Sequence, residues 1–288
     1  MKKKTIMKIS AGAILIIMVW LVMAQSCMKF KISDSEARKE FENEGVTLTT
    51  KTVKPGKRQI HYAQSGNDTL PTIVFVHGSP GSWSAFSQYM KDKELLSKYR
   101  MISIDRPGFG NSDFGKSEPL QQQSALISPL INEWKNGKPI YLVGHSLGGP
   151  LIIQLYADNP GLVDGLVLLA ASVDPAEEKK ESWRYVLDGA LMQYFLPGAF
   201  RPSNRELIFF KKDVYALQDK FTAVKCKVFI VHGMKDSFVP PGNAAYAAKQ
   251  LVNAASVETI IIPDANHFIP WKNYETIKQV LMKLYSNH

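Results

Sequence analysis

Short apolar runs recur along the chain at spacings that leave room for a helix between them. Residues 72–76, 100–104, 139–143, 162–169, 227–231 and 257–262 are each dominated by Val, Ile, Leu, Phe and Met. Continuous apolar runs of this length read as strands covered on both faces, the arrangement of a parallel sheet. Two earlier runs differ. Residues 46–53 are Thr-rich and β-branched, residues 58–63 follow after Pro55-Gly56, and the pair reads as two antiparallel strands around a turn. Helical spacing appears at 120–134, 149–157, 243–251 and 274–285. The order predicts an α/β fold: a mostly parallel, doubly wound sheet of about eight strands with helices on both faces. The alternation breaks between Ala171 and Val224, where Trp183, Tyr185, Leu191, Tyr194 and Phe195 fall among Pro197-Gly198 and Pro202. We expect a small helical lid over about 172–224, the alternative being an ordinary long crossover.

The first residues stand apart from this pattern. Lys2, Lys3, Lys4 and Lys8 precede an uncharged apolar run over 9–24. A run of about 15 residues fits an export signal better than a full span, which needs roughly 20. The run ends Ala24-Gln25-Ser26-Cys27, which resembles a bacterial lipoprotein signal: cleavage before Cys27 and lipidation of that cysteine. An uncleaved anchor and ordinary secretion are the alternatives. Each of these predicts an exported domain, at the membrane or in the periplasm or cell envelope of a bacterium. The expected organisation is a leader at 1–26, a tether at 27–45 with a helical patch near Ser35 to Phe41, and a main domain at 46–288. The other cysteine, Cys226, lies in an apolar stretch and reads as a small core residue, so no disulfide is implied.

Composition is that of an ordinary globular chain, 45% hydrophobic and 21% charged over 288 residues. The formal charge of +9 is inflated by four leader lysines. The remaining lysines form no basic stripe with interleaved aromatics, and no zinc-finger spacing occurs. The charge therefore does not point to nucleic acid.

The candidate chemistry starts at Gly144-His145-Ser146-Leu147-Gly148, between the run 139–143 and Pro150-Leu151-Ile152-Ile153. This is G-x-S-x-G at a strand-to-helix junction. The turn is so tight that the serine is strained and the residues two before and two after it must be small. A hydroxyl held out at the rim of a sheet, beside the first amides of a helix, suits attack on a carbonyl.

Further segments occur in a telling order: His77-Gly78-Ser79-Pro80-Gly81 after one strand, Asp105-Arg106-Pro107-Gly108-Phe109-Gly110-Asn111-Ser112 after the next, Gly233-Met234-Lys235-Asp236 after a later one, and His267 after the last. With the Ser146 elbow, they make residues 47–288 resemble the α/β-hydrolase superfamily, in its serine esterase and proline-iminopeptidase-like branch. The resemblance implies Ser146 as nucleophile, His267 as base and Asp236 as the carboxylate that fixes the imidazole. Asp174, past the preceding strand, is the alternative acid; Asp264 is too local to brace the ring. His77 is expected to order the loop that follows it, His145 to point away from the serine, and His232 to support the acid loop. His61 falls in an early strand and His288 at the terminus. The backbone N–H groups of Ser79 and Leu147 would form the oxyanion hole. Residues 105–112 are expected to be structural, with Asp105 at a strand end.

The implied activity is hydrolysis of a small-molecule ester or amide through an acyl-enzyme, with no cofactor and no metal. The apolar lid favours a carboxylic ester. A proline-iminopeptidase-like aminopeptidase is the second reading; it needs lid acids for a substrate ammonium, and Glu177, Glu178, Glu181 and Glu206 are the candidates. Dehalogenase and epoxide-hydrolase chemistry is disfavoured, because those relatives use aspartate where Ser146 stands. C–C-bond hydrolysis or cofactor-free haloperoxidase-like chemistry stays open, as does a non-catalytic binding protein on the same scaffold.

Overall fold

The structure, a computed structural model, describes residues 2–26, 28–179 and 181–285. Eight strands form one sheet: β1 (Thr49–Val53), β2 (Ile60–Ser65), β3 (Thr72–Val76), β4 (Arg100–Ile104), β5 (Ile140–His145), β6 (Gly165–Leu169), β7 (Lys227–Gly233) and β8 (Ser256–Ile262). Their order across the sheet is β1-β2-β4-β3-β5-β6-β7-β8. β1 and β2 pair antiparallel with each other, and β2 with β4; every later pairing is parallel.

The period of two along each central strand divides the core. Val74, Val76, Ile102, Ile104, Leu142, Leu166, Leu168, Val228 and Ile230 point into one apolar layer. Their neighbours Ile73, Phe75, Met101, Val143, Val167, Leu169, Phe229 and Val231 point into the other. Both faces are therefore covered, and β3 to β6 are buried throughout. The edges are cheaper to expose: Thr49 to Val53 and Ser256 to Ile262 leave alternate positions open to solvent.

Within 28–45, read as a tether or first element, residues 34–43 form a packed helix. The helix Asp34–Asn43 starts on a Ser33 cap and buries Ala37 and Phe41, the latter beside Trp83. Short helices over Trp83–Phe86, Ser87–Lys91 and Lys93–Leu96 follow β3 where no periodicity announces them. The lid region contains Trp183–Leu187, a 3-10 turn Met192–Phe195 and the long helix Phe200–Leu217, hereafter the lid helix. Residues 2–26 form a helix, Lys2–Ser26, whose end lies against the segment 194–198: Trp20 donates to the Phe195 carbonyl, Gln25 to that of Tyr194, and the Gly198 amide to that of Ala24. Among the described residues no helix is long and apolar enough to cross a membrane. Cys27 and His288 lie outside the described residues.

One topological point positions the site. β3 sits between β4 and β5, so successive connections leave it in opposite directions. The loops after β3 and β5 therefore splay apart at their carboxyl ends, the place where open α/β sheets bind ligands. Those loops are 77–81 and the Ser146 elbow.

Candidate active site

Ser146 directly follows β5 and precedes the helix Gly148–Asp158, with a backbone φ of 53°. A non-glycine residue holds that left-handed conformation only when its surroundings enforce it. They do. The Ser146 amide donates to the Leu169 carbonyl at 2.9 Å, and its carbonyl accepts from the Gly149 amide at 2.9 Å. The two glycines are required by space. A Cβ on Gly144 would strike the Gly148 carbonyl, and one on Gly148 would strike the Val76 carbonyl in β3.

The loop after β8 brings His267 to the same end of the sheet. Its Nδ1 lies 2.7 Å from Asp236 Oδ2. The other carboxylate oxygen, Oδ1, accepts from the Phe238 and Val239 amides at 2.9 and 2.8 Å, so the acid is fixed on both sides. Burial alone would raise the Asp236 carboxyl. Hydrogen bonds from His232, His267 and the Val239 amide outweigh it and hold the group well below the usual carboxylate range. The alternative acids are engaged elsewhere: Asp174 Oδ1 accepts from the Ala176 amide, and Asp264 is an exposed partner of Lys235.

His145 turns away from the serine and toward His267. Its Nε2 donates to the His267 carbonyl at 3.0 Å, with the two rings 4.8 Å apart. Burial, reinforced by the neighbouring His267, pushes its pKa down to about 3, so it serves as a neutral donor that pins the base's backbone. Among the described residues no direct hydrogen bond joins the Ser146 hydroxyl and the His267 ring. Such contacts are commonly loose in the absence of substrate.

The Ser79 and Leu147 amides donate to no protein acceptor among the described residues. Both belong to segments flanking Ser146: a Cβ on Gly78 would lie 2.9 Å from Ser146 Cβ, and Leu147 follows the serine directly. His77 orders the loop as expected. Its Nδ1 donates to the Gly78 carbonyl at 2.6 Å, and its Nε2 accepts from the Arg106 amide at 3.0 Å. Asp105 ties strand ends together, accepting from the Trp83 and Asn111 amides and from His61 Nδ1.

Arg106 plays a larger part than its motif suggests. It is fully buried, forms an ion pair with Glu206 of the lid helix and donates to Gln123 Oε1 at 3.1 Å and to the Gly78 carbonyl at 2.9 Å. The partnership joins residues 100 positions apart, so nothing local signals it. It also removes Glu206 from the lid acids open to a substrate ammonium. Glu178 accepts from the Ser172 hydroxyl and Glu181 pairs with Arg184, so among the described residues Glu177 is the one of the four with no such partner. Among the described residues no cluster of His, Cys, Asp and Glu could hold a metal ion.

A strained serine at a sheet's switch point, an Asp-fixed imidazole and a Gly-rich loop define a recognisable class. Residues 71–216 match the family model described as alpha/beta hydrolase fold, and the chain belongs to that family. It is 32% identical over 118 residues to epoxide hydrolase 1 of Caenorhabditis elegans, covering 40% of this chain and 28% of that protein. It is 25% identical over 217 residues to the lysophosphatidylserine lipase ABHD12 of Danio rerio, covering 74% and 54% respectively. The chain thus spans about half or less of these curated relatives. Among solved structures, a thermophilic esterase from Thermogutta terrifontis superposes with a TM-score of 0.66 at 18% identity, covering 82% of this chain and 97% of that one.

Proposed function

We propose that this chain is a serine hydrolase acting on carboxylic esters. The observation that carries the reading is the 2.7 Å contact of His267 Nδ1 with Asp236, made at the end of the sheet where Ser146 is held in its strained turn. Nδ1 then carries the proton toward the carboxylate, and Nε2 is the free base. Ser146 Oγ attacks the ester carbon while its proton passes to Nε2. The carbonyl oxygen becomes an anion beside the Ser79 and Leu147 amides, donors that need no reorganisation. His267 returns the proton to the departing alkoxide, leaving an acyl-serine. Water attacks this ester, its proton again going to Nε2, and the acid leaves as Oγ regains a proton.

The names of the zebrafish lipase and the Thermogutta esterase support ester cleavage. The epoxide hydrolase resemblance supports it less, because a serine occupies the nucleophile position expected of aspartate. The pairing of Glu178, Glu181 and Glu206 within the protein weighs against the aminopeptidase reading. The test is labelling by a fluorophosphonate alongside turnover of aryl esters and a proline arylamide. Labelling and ester turnover that both vanish in Ser146→Ala support the reading. Turnover that survives the substitution contradicts it, and tight ligand binding without turnover favours a receptor.

The leader is proposed to export the domain and hold it at a lipid surface, either as a retained helix or through a lipid on Cys27. Exposed Ile14, Leu15, Ile16, Trp20, Val22 and Met23 support this. Full-length protein should pellet with phosphatidylglycerol vesicles and the chain lacking 2–26 should not; equal pelleting contradicts the retained-helix form. Mass spectrometry of the mature N-terminus reports the state of Cys27.

A further inference from the structure

We infer that the lid helix Phe200–Leu217 braces the two oxyanion amides, aiming that of Ser79 through its peptide plane and backing that of Leu147 by side-chain packing. The inference rests on the function proposed above and extends it to residues that touch no substrate.

The first amide is aimed through its own peptide plane. In a trans peptide the carbonyl oxygen and the N–H point in opposite directions, so fixing one fixes the other. The Ser79 N–H shares its plane with the Gly78 carbonyl. That carbonyl is held by Arg106 Nη2 at 2.9 Å and by His77 Nδ1 at 2.6 Å. Arg106 in turn is held by Glu206 of the lid helix, with Nη2 3.1 Å from Oε2 and Nη1 paired to Oε1. Gln123 completes the arrangement by donating to the same Glu206 oxygen at 2.9 Å. One turn earlier on the lid helix, Ser203 accepts from the Ser79 hydroxyl at 3.0 Å. Backbone and side chain of the donor residue are thus both tied to one helix.

The second amide is reached from the next turns of that helix. The Leu147 side chain packs in a small cluster with Phe210 and Val214, and Leu207 joins it. This cluster is separate from the two main layers of the core. The Ser146 carbonyl, in the same peptide plane as the Leu147 N–H, accepts from the Gly149 amide and lies 3.4 Å from that of Ser172. The lid helix therefore holds Gly78 and Ser79 directly and backs Leu147 through its side chain, while the bonds of the Ser146 carbonyl and the contact of His267 with Asp236 do not involve it. Ser203, Glu206, Phe210 and Arg106 are positioning residues in this scheme.

The test uses the full chain as wild type, Ser203→Ala, Ser203→Thr and Phe210→Leu. Active sites are counted by fluorophosphonate titration, and kcat, KM and inhibition by phenylboronic acid are then measured on a p-nitrophenyl ester. The boronate forms a tetrahedral adduct that needs the amides, whereas ground-state binding does not. We expect kcat and kcat/KM per labelled site to fall together by about tenfold in Ser203→Ala and Phe210→Leu, less than the 10²–10³ lost when a donor is removed outright. Boronate affinity should weaken in parallel, and Ser203→Thr, which keeps the hydroxyl, should restore both. A purely structural role lowers the number of labelled sites and leaves each site's kcat and boronate affinity within about twofold of wild type; that result overturns the inference. Unlabelled wild type, with turnover unchanged in Ser146→Ala, instead overturns the underlying function and is told apart by that control.

Discussion

Replacing Glu206 by Gln removes one charge from a fully enclosed pair. Arg106 is 0% exposed and Glu206 1%, so water cannot take over the guanidinium. What remains to it is neutral: the Gly78 carbonyl, Gln123 Oε1, the amide oxygen left at position 206 and the Phe109 ring 4.9 Å away, while its Nε has no partner among the described residues. Breaking a buried pair from one side costs about 3–5 kcal/mol, because the surviving charge is left uncompensated. For a domain of this size each kcal/mol lowers Tm by roughly 2–4 °C, so a fall of roughly 10 °C is expected. The double variant Arg106→Met, Glu206→Leu removes both charges and should recover most of that loss. Urea and thermal unfolding of wild type, single and double variants measure the three values. A single variant costing under about 1 kcal/mol, or a double variant no better than the single, would refute the claim that this is a dry, mutually dependent pair.

Three further outcomes follow from the same structure. Asp236→Asn keeps the shape but allows the wrong imidazole tautomer, so kcat should fall by about 10⁴; a loss below about tenfold contradicts the assigned acid. Burial, with Glu206 adding to it, raises Asp213 to about 6, although it accepts from the Leu120 amide. A raised carboxyl binds its proton more tightly in the folded state, so stability should be full below about 4 and decline as pH rises toward 6. Asp213→Asn should abolish that decline, and a pH profile of Tm unchanged by the substitution would count against it. Gly148→Ala forces a methyl onto the Val76 carbonyl and should cost several kcal/mol, on the order of other overpacked core sites or more; near-wild-type unfolding would mean the elbow is not rigid.

The sheet was legible because its physics is local. Runs such as Thr72–Val76 and Arg100–Ile104 carry their burial in their own composition, and their bounds fall where expected. The edges were less so: β1 begins at Thr49, and Val46 and Leu48 before it are buried without pairing. The short helices from Trp83 to Leu96 are each too brief to show a period, and part of their burial comes from Tyr274, far along the chain. At the site, Ser146 stands in a motif whose small residues reflect its strained turn, whereas Asp236 and His267 were reached through the family resemblance. Arg106 with Glu206 and Ser79 with Ser203 carry no such signal, since each contact is made only when the lid helix folds back across more than 90 residues of chain. His145 lay between: its place beside the serine was plain, but its hold on the His267 carbonyl depends on β8 and the loop after it.

The most direct measurement is a crystal structure of the phenylboronic acid adduct. Boron should be bonded to Ser146 Oγ, with one boronate oxygen within hydrogen-bond distance of both the Ser79 and Leu147 amides and a second facing His267 Nε2. Boron bonded elsewhere, or an adduct on Ser146 whose oxygens meet neither amide, would contradict the proposed site.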